Sequence, residues 1–393
     1  KAEEYYLKAN KVDSLSPSPY VNLALLSNKR EEYEKAIEYY TKAIELAPEK
    51  DNYYYRRTTP YEELEMYAEA EADYLKAIEL DPEDEGYYLD LGNLYKDDLE
   101  EPEKAIAQYL KILDLNPESS GALNNIGMTY EVDLKNYEKA EEYYLKAIKV
   151  DSLSPYPYFN LGDISNKREE YEKAIEYYTK AIELAPEEDS YYYNRTTPYE
   201  ELEMYAEAEA DYLKAIELDP EDEGYYLDLG NLYKDDLEEP EKAIAQYLKI
   251  LDLNPESSGA LNNIGMTYEV DLKNYEKAEE YYLKAIKVDS LSPYPYFNLG
   301  DISNKREEYE KAIEYYTKAI ELAPEEDSYY YNRTTPYEEL EMYAEAEADY
   351  LKAIELDPEY EDYYLYLGNL YTDDLEEPEK AIAQFQKILN FNP

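Results

Sequence analysis

The stretch that decides the fold of this chain is Tyr158–Pro186, YFNLGDISNKREEYEKAIEYYTKAIELAP. Its spacing is aromatic-x2-L-G, then A-x3-aromatic, then Ala and Pro, at Tyr158, Leu161, Gly162, Ala174, Tyr178, Ala181 and Pro186. The small residues Gly162 and Ala174 allow two helices to approach closely. Tyr178 and Ala181 lie along the same seam at helical spacing. Because Pro186 cannot continue a helix, the second helix ends there. The stretch therefore predicts two closely packed helices, A and B.

The same spacing recurs along nearly the whole chain and resembles the tetratricopeptide repeat, a helix–turn–helix unit of about 34 residues. The resemblance implies an all-α solenoid, a right-handed superhelix of paired helices in which each unit packs on its neighbours. It also implies a protein-binding role without catalysis. One continuous array over 1–393 is expected, with helix B of a partial unit at 1–16. Units 1 to 11 follow at 17–50, 51–84, 85–119, 120–154, 155–188, 189–222, 223–257, 258–292, 293–326, 327–360 and 361–393.

A longer repeat overlies the units. The hexapeptide KAEEYY begins at Lys1, Lys139 and Lys277, so four units form one copy of 138 residues. Units 1, 5 and 9 are therefore equivalent, as are units 2, 6 and 10, units 3, 7 and 11, and units 4 and 8. Surface residues match between copies as well as core residues do, which indicates recent duplication or selection for periodic contacts.

Charge and composition restrict the function. The net charge is −55, from 39 Lys and Arg against 94 Asp and Glu. Nucleic acids and anionic membranes bind basic surfaces, so neither is an expected partner, whereas basic proteins or peptides are. The chain has no Cys and no His, which supply most nucleophile–base pairs. Asp219–Gly224 begins like a calcium loop but has Gly230 where a Glu is required. We predict no catalytic residue, no cofactor and no metal.

Three features depart from the family pattern. Pro198 removes a backbone donor from helix A of unit 6 and is expected to kink or shorten it. Unit 7 has a one-residue insertion, expected in the acidic loop Lys234–Pro240. Unit 8 has an insertion near Val270–Lys273. These departures are expected to alter local helix lengths and to leave the fold intact.

Helices A build the concave face, which takes an extended or helical peptide in the family that this sequence resembles. Amides at the matching positions can hydrogen-bond a peptide backbone, and aromatic rings can supply contact area. The basic clamp of the chaperone-adaptor subfamily is not expected, because Asp and Asn dominate here. The candidate binding residues are Phe159, Asn160, Asp163, Tyr193, Asn194, Thr197, Leu227, Asp228, Asn231, Asn262, Asn263 and Met266. Asn194 and Asn332 also match the glycosylation acceptor pattern.

The end copies gain apolar and aromatic residues, whereas repeat arrays normally end in polar caps. Leu25 and Leu26 stand where unit 5 has Asp163 and Ile164, and Phe385 and Phe391 stand where unit 7 has Tyr247 and Leu253. We therefore predict Leu25, Leu26, Phe385 and Phe391 as candidate end contacts between copies of this chain.

Two non-enzymatic functions follow from these patterns. The first is a structural scaffold that associates with itself end to end and along its side, as a periodic segment of a filament or fibre. The alternative is a soluble adaptor that binds a basic protein or peptide in its concave groove. An extracellular or cell-surface location is expected with the first function and a cytoplasmic one with the second.

Overall fold

A computed structural model describes residues 15–391 of the chain, with side chains up to residue 389. This described part contains 22 α-helices, four short π-helical turns and no β-strand, so the predicted all-α fold is confirmed. The chain divides into two compact halves, Lys1–Leu202 and Glu203–Pro393. The partial helix B predicted at 1–16 lies almost wholly outside the described residues. Within 15–391, no helix is both long and apolar enough to cross a membrane.

Helices A and B alternate through both halves. Helices A are Ser18–Asn28, Asp51–Glu62, Glu85–Asn93, Ser120–Met128, Tyr156–Lys167, Asp189–Glu201, Glu223–Asn231, Ser258–Met266, Tyr294–Lys305, Asp327–Glu339 and Glu361–Asp373. Helices B are Tyr33–Leu46, Tyr67–Leu80, Pro102–Leu115, Tyr137–Val150, Tyr171–Leu184, Tyr205–Leu218, Pro240–Leu253, Tyr275–Val288, Tyr309–Leu322, Tyr343–Leu356 and Pro378–Phe391. The π-helical turns are Leu94–Asp98, Thr129–Asp133, Leu232–Asp236 and Thr267–Asp271.

A Schellman motif reverses the chain between helices A and B of unit 5. Glu169 adopts the left-handed conformation, with φ 61°. Its amide donates to the carbonyl of Asn166 at 2.9 Å, and the amide of Glu170 donates to the carbonyl of Ser165 at 2.8 Å. These two bonds satisfy carbonyls that the end of a helix leaves without partners. The motif therefore holds a charged residue in a conformation that usually favours glycine.

The seam between helices A and B is as close as the spacing predicts. In unit 5, a Cβ added at Gly162 would lie 2.5 Å from Cε1 of Tyr178. A Cβ at Gly230 would lie at the same distance from Cε1 of Tyr247 in unit 7. Ala174 and Ala181, on helix B of unit 5, are fully buried. These small residues are therefore required because a tyrosine ring fills the space where a larger side chain would stand.

The insertions in units 7 and 8 widen the end of helix A. The expectation that the unit 7 insertion lies in the acidic loop was wrong, whereas the unit 8 turn Thr267–Asp271 overlaps the expected Val270–Lys273. In unit 7 the chain continues from helix A into the π-helical turn Leu232–Asp236. The amide of Leu237 then donates to the carbonyl of Leu232 at 3.0 Å, five residues earlier. A π-turn accommodates one extra residue in a helix without unpairing the backbone around it.

Proline does not shorten helix A of unit 6. This helix runs continuously over Asp189–Glu201 with Pro198 inside it, so the expected shortening was wrong. The equivalent helices Asp51–Glu62 and Asp327–Glu339 also continue past Pro60 and Pro336. All three rings are buried, which means that packing offsets the backbone bond that proline cannot make.

Candidate protein-binding groove

Asp163, a predicted groove residue, is hydrogen-bonded across the seam between helices A and B of its own unit. Its Oδ1 accepts a hydrogen bond of 2.6 Å from the Tyr178 hydroxyl. Burial raises the pKa of the Asp163 carboxyl to about 6, and the nearby charge of Glu131 raises it further, against the effects of Tyr178 and Lys167. The equivalent Asp301 has the same tyrosine partner and a pKa raised to about 6 by burial. These half-buried carboxyls already have a hydrogen-bond partner within their own units.

The predicted asparagines join neighbouring helices A. Asn160 Nδ2 donates to Asn124 Oδ1 at 3.1 Å, and Asn298 Nδ2 donates to Asn262 Oδ1 at the same distance. Asn262 Nδ2 lies 3.4 Å from the Met266 sulfur, so the predicted pair Asn262 and Met266 are in contact. Since each of these asparagines is only partly buried, its amide keeps room for a further partner.

Phe159 packs between units 5 and 6. Its ring stacks on that of Tyr191 with centroids 4.8 Å apart, and it also contacts the Tyr178 ring at 5.7 Å. Phe297 makes the same two contacts with Tyr329 and Tyr316 in the C-terminal half. Phe159 is therefore mainly a packing residue of the described structure.

Units 7 and 8 bring two predicted residues together. Leu227 and Asn263 both line a depression of about 180 Å³ on the C-terminal half. Asn231 Oδ1 accepts a 2.8 Å hydrogen bond from the Tyr247 hydroxyl, so its role resembles that of Asp163. Asp228 is half-buried on the same helix A.

The three predicted residues of unit 6 differ in exposure. Thr197 is exposed, whereas Tyr193 and Asn194 are half-buried. Asn194 Nδ2, the nitrogen that a glycan would occupy, donates to the Ser190 carbonyl at 2.8 Å within the helix. Asn332 Nδ2 makes the same bond to Ser328. Glycosylation at Asn194 or Asn332 would require this helical hydrogen bond to break.

An open groove lies on units 1 to 3, in the N-terminal half. It is a cavity of about 470 Å³ lined mostly by helices A of three successive units. Six of its lining residues are the equivalents, 138 residues earlier in the chain, of predicted binding residues. They are Leu25, Tyr55, Arg56, Thr59, Asp90 and Asn93. Positions on helix A that the family resemblance selects therefore line an open groove where the three units meet.

Carboxylates dominate the charge of this groove. Glu62, Asp90, Asp97 and Asp98 line it, against the guanidinium of Arg56, and Asp97 also pairs with Lys96 at 3.1 Å beside the groove. Glu62 accepts a 2.7 Å hydrogen bond from Tyr74, and burial, aided by the charges of Asp98 and Asp90, raises the pKa of its carboxyl. Such mutual repulsion is relieved when a cation enters the site.

The neighbouring arginine is not free to bind a ligand's carboxylate. Arg57 makes two hydrogen bonds to Asp73, of 2.7 and 2.8 Å, and a third of 2.7 Å to Thr41. Arg333 makes the equivalent bonds to Asp349 and Thr317. Each guanidinium therefore joins helices of its own half.

Sequence reasoning missed the groove on units 1 to 3. It placed the candidate binding residues in units 5 to 8 and assigned Leu25 to an end contact, whereas Leu25 lines the groove with Tyr40 and Arg56. The signal was present in the sequence. Leu25 and Arg56 stand where the internal copy has Asp163 and Asn194, and the two changes together make this groove less acidic than its internal equivalent.

The other predicted end contacts have separate environments. Leu26 is half-buried on helix A of unit 1. Phe385 packs against Gly368 in the seam of unit 11, at the position that Tyr247 takes in unit 7. The Phe391 side chain lies outside the described residues. Phe385 thus has a role within its own unit, whatever it contacts in a second copy.

Comparison with known proteins identifies the family. Two tetratricopeptide-repeat sequence models match residues 17–50, 53–84, 86–119, 120–152, 155–188, 190–222, 224–257, 258–290, 293–326 and 328–360. No curated protein sequence matches the chain.

Among solved structures, yeast Tom70 is similar at 18% identity, over 100% of this chain and 93% of that one, with a TM-score of 0.47. A tetratricopeptide repeat protein from Parabacteroides merdae is similar at 20% identity, over 64% of this chain and 98% of that one, with a TM-score of 0.46. YrrB, described as having an unusual peptide-binding site, is similar at 27% identity, over 48% of this chain and 95% of that one, with a TM-score of 0.39. Since the repeat models match most of its length, the chain belongs to the tetratricopeptide repeat family.

Proposed function

We propose that this chain is a non-enzymatic adaptor that binds basic segments of other proteins along its helices A. The observation that carries the proposal is the groove of about 470 Å³ on units 1 to 3, where four carboxylates face one guanidinium. A groove of this size holds a few residues of an extended peptide. Charge complementarity then selects a partner that presents Lys or Arg.

The overall charge supports the same partner class. At −55, the chain attracts cationic partners over long distances and accelerates their encounter at low salt. The groove adds a local binding site to this long-range attraction, because its carboxylates lie close together around one cavity. Affinity for a basic segment should therefore depend on particular groove residues as well as on ionic strength.

The absence of enzymatic activity is part of this proposal. Cys and His are missing from the sequence, and the buried carboxyls whose pKa is raised to about 6, Asp163 and Asp301, each hold a tyrosine hydroxyl. Each of these carboxyls therefore already has a hydrogen-bond partner within its own unit. A turnover lost on Asp163→Asn, with the fold intact, would contradict this part.

A peptide-binding assay tests the adaptor function. A short fluorescein-labelled peptide of alternating lysine and serine is titrated with the protein at physiological ionic strength, and fluorescence anisotropy is measured. A matched peptide with glutamate in place of lysine is the control. We expect the lysine peptide alone to bind. The double variant Asp97→Asn with Asp98→Asn should weaken that binding, since both carboxylates are exposed in the groove.

The matched protein control removes the same charge elsewhere on the N-terminal half. Glu45→Gln with Glu49→Gln neutralises two exposed carboxylates of unit 1 that do not line the groove. Equal weakening by both double variants would mean that only the general field binds the peptide. Equal binding of the lysine and glutamate peptides would exclude a basic partner.

Homotypic assembly is a second candidate function, favoured by exposed apolar side chains that recur at the copy interval. Leu153 and Tyr156 are 75% and 63% exposed at the entry to unit 5, and Leu291 and Tyr294 have the same exposures at the entry to unit 9. Identical weak contacts on one chain add up when a second copy aligns with it. This pattern would serve a fibre better than the end residues Leu25 and Phe385, which already line a groove and a seam.

Sedimentation velocity over a range of protein and salt concentrations tests assembly. Salt should promote it by screening the repulsion between acidic chains. We expect Leu153→Ser with Leu291→Ser to abolish larger species, and the control Leu75→Ser with Leu213→Ser, two less exposed leucines on helices B at 48% and 47%, to preserve them. A monomer under all conditions would exclude the filament.

A further inference from the structure

The Tyr40 hydroxyl in unit 1 is buried without a hydrogen-bond partner. Tyr40 is fully buried, and among the described side chains it carries the one buried tyrosine hydroxyl that has no partner. Its equivalents Tyr178 and Tyr316 each donate to an aspartate one helix away, Asp163 and Asp301. Unit 1 has Leu25 at that aspartate's position, and a leucine accepts no hydrogen bond.

An unpaired buried hydroxyl is costly and calls for an explanation. Leaving such a group unsatisfied destabilises the fold, and most buried polar groups in native proteins have a partner. Burial raises the pKa of Tyr40 to about 12, so the hydroxyl keeps its proton and remains a donor at neutral pH. A water molecule or a group of a bound ligand can therefore supply the acceptor that the described residues do not.

Tyr40 lines the groove on units 1 to 3, which gives that acceptor a way in. Leu25 lines the same cavity beside it, and Arg56 lies close enough for its charge to lower the pKa of the tyrosine against the effect of burial. Arg56 replaces the asparagine of both later copies, Asn194 and Asn332. Arg56 Nε already donates to Asn52 Oδ1, so the Tyr40 hydroxyl and the terminal nitrogens of Arg56 are the donors in the part of the groove nearest unit 1.

The rest of the groove has the opposite chemistry. Asp90, Asp97 and Asp98 belong to helix A of unit 3 and the π-helical turn that follows it, and Glu62 belongs to helix A of unit 2. Asp90 keeps one carboxylate oxygen beyond the one that accepts from the Tyr55 hydroxyl. A single occupant that satisfies both parts must offer an acceptor at unit 1 and a cation at unit 3.

We propose that the groove on units 1 to 3 is a specificity site for an extended peptide, in which a backbone carbonyl accepts from the Tyr40 hydroxyl and a lysine or arginine side chain lies among Glu62, Asp90, Asp97 and Asp98. This site deepens the proposed adaptor function and rests on it. It belongs to unit 1 because the equivalent tyrosines Tyr178 and Tyr316 already donate to aspartates of their own units.

Three variants of the full chain test the site with the same labelled lysine–serine peptide. Tyr40→Phe removes only the hydroxyl and should raise the Kd about 5- to 10-fold, the range expected for one hydrogen bond. Leu25→Asp recreates the aspartate of unit 5, should engage the hydroxyl itself, and should also raise the Kd. Tyr178→Phe, the same change in unit 5, should leave the Kd unchanged.

Leu25→Asp separates the site from general electrostatics by the sign of its effect. An added carboxylate attracts a cationic peptide, so a non-specific field predicts tighter binding, whereas capture of the Tyr40 hydroxyl predicts weaker binding. Hydrogen exchange in residues 17–50 checks that Tyr40→Phe keeps the fold, as expected for a hydroxyl that makes no bond.

The outcomes distinguish this inference from the function on which it rests. If the parent binds the peptide and Tyr40→Phe binds it equally well, the hydroxyl is satisfied by water alone and the specificity site is wrong, while the adaptor function stands. Tighter binding by Leu25→Asp would also overturn the site. If the parent does not bind the lysine peptide at all, both the site and the basic-partner function fail.

Discussion

Units 1 and 5 contain the same helix B and use it differently. Tyr33–Leu46 and Tyr171–Leu184 have the identical sequence YEKAIEYYTKAIEL. In unit 5 the central tyrosine, Tyr178, donates to Asp163 at 2.6 Å, whereas in unit 1 the same tyrosine, Tyr40, has no partner. The difference arises entirely on helix A. A change on helix A alone therefore removes the hydrogen-bond partner of a tyrosine on an identical helix B.

A second difference between the two units concerns the seam. Unit 5 has Gly162 beneath the tyrosine ring, and unit 1 has Ala24 at the equivalent position, also fully buried. The unit 1 seam thus contains a methyl group for which the unit 5 seam has no room. The two seams differ in whether they accommodate a Cβ at this position. We therefore expect a larger side chain to destabilise the seam of unit 5 more than that of unit 1.

The largest expected effect is that of Gly162→Leu. The Tyr178 ring atoms would lie 2.5 and 2.6 Å from the new Cβ, and the remaining leucine atoms have no space between the two helices. We expect a loss of about 3 kcal/mol, at the upper end for overpacking. Hydrogen exchange followed by mass spectrometry should show residues 155–188 opening while residues 17–50 stay protected.

Gly121→Leu is the matched control for this substitution. Gly121 also lies on a helix A, in unit 4, but a Cβ there meets nothing within 4 Å. Leucine has the higher helix propensity, so this variant should be as stable as the parent or more so. Equal damage from the two substitutions would mean that glycine is needed for its backbone, and that the close approach to Tyr178 does not matter.

The next largest effect concerns pH and separates unit 5 from unit 1. Burial raises the pKa of Asp163 from its ordinary value of 3.8 to about 6, so folded unit 5 holds a proton that the unfolded chain releases in this range. Stability must then fall as the pH rises from about 4 to about 6, by up to about 3 kcal/mol. Unit 1 has no such contribution, because Leu25 does not titrate.

Asp163→Asn measures this contribution directly. The amide oxygen can still accept from Tyr178 but does not ionise. We expect the variant to gain stability over the parent at pH 7 and not at pH 4, as followed by urea unfolding and by exchange in residues 155–188. A constant difference between variant and parent across this range would contradict the raised pKa.

A smaller effect is expected from removing one hydroxyl in each unit. Tyr178→Phe should cost about 1–2 kcal/mol, because Asp163 loses a hydrogen-bond donor in a half-buried seam. Tyr40→Phe should cost nothing or stabilise unit 1 slightly, since its hydroxyl has no partner to lose. Local hydrogen exchange in the two units measures both, and equal losses would show that Tyr40 is bonded within the fold.

The sequence was sufficient to predict the units and their seams. Tyr178, Gly162 and Ala174 have fixed spacing because a ring must fit between two close helices, and the structure places them in that contact. The widened π-turn at Leu232–Asp236 and the continuous helix through Pro198 were not predicted. Both depend on how the surrounding packing compensates a local backbone defect, which a spacing pattern does not contain.

The groove was harder to predict than the fold. The family resemblance selected positions on helix A of units 5 to 8, whereas the groove described above is lined by the equivalent positions of units 1 to 3. Asp163 and Asn231 appeared free to bind a ligand, although each accepts a hydrogen bond from a seam tyrosine. The absence of such an acceptor at Leu25 became meaningful only when the structure placed Tyr40 beside it in a cavity.

The smallest effect is expected where units 1 and 5 do not differ at all. Lys42 pairs with Glu45 and Lys180 with Glu183, both at 2.8 Å on the exposed side of the identical helices B. Exposed pairs contribute little because water and salt screen them and two flexible side chains must be ordered. Lys42→Ala and Lys180→Ala should therefore change hydrogen exchange in their units equally, by close to the experimental error, and high salt should remove what remains. A clear difference between the two would mean that helix A acts on helix B beyond the seam. Equal responses would confine the distinction between the units to helix A, where Ala24 and Leu25 replace Gly162 and Asp163, and to the tyrosine left unpaired there.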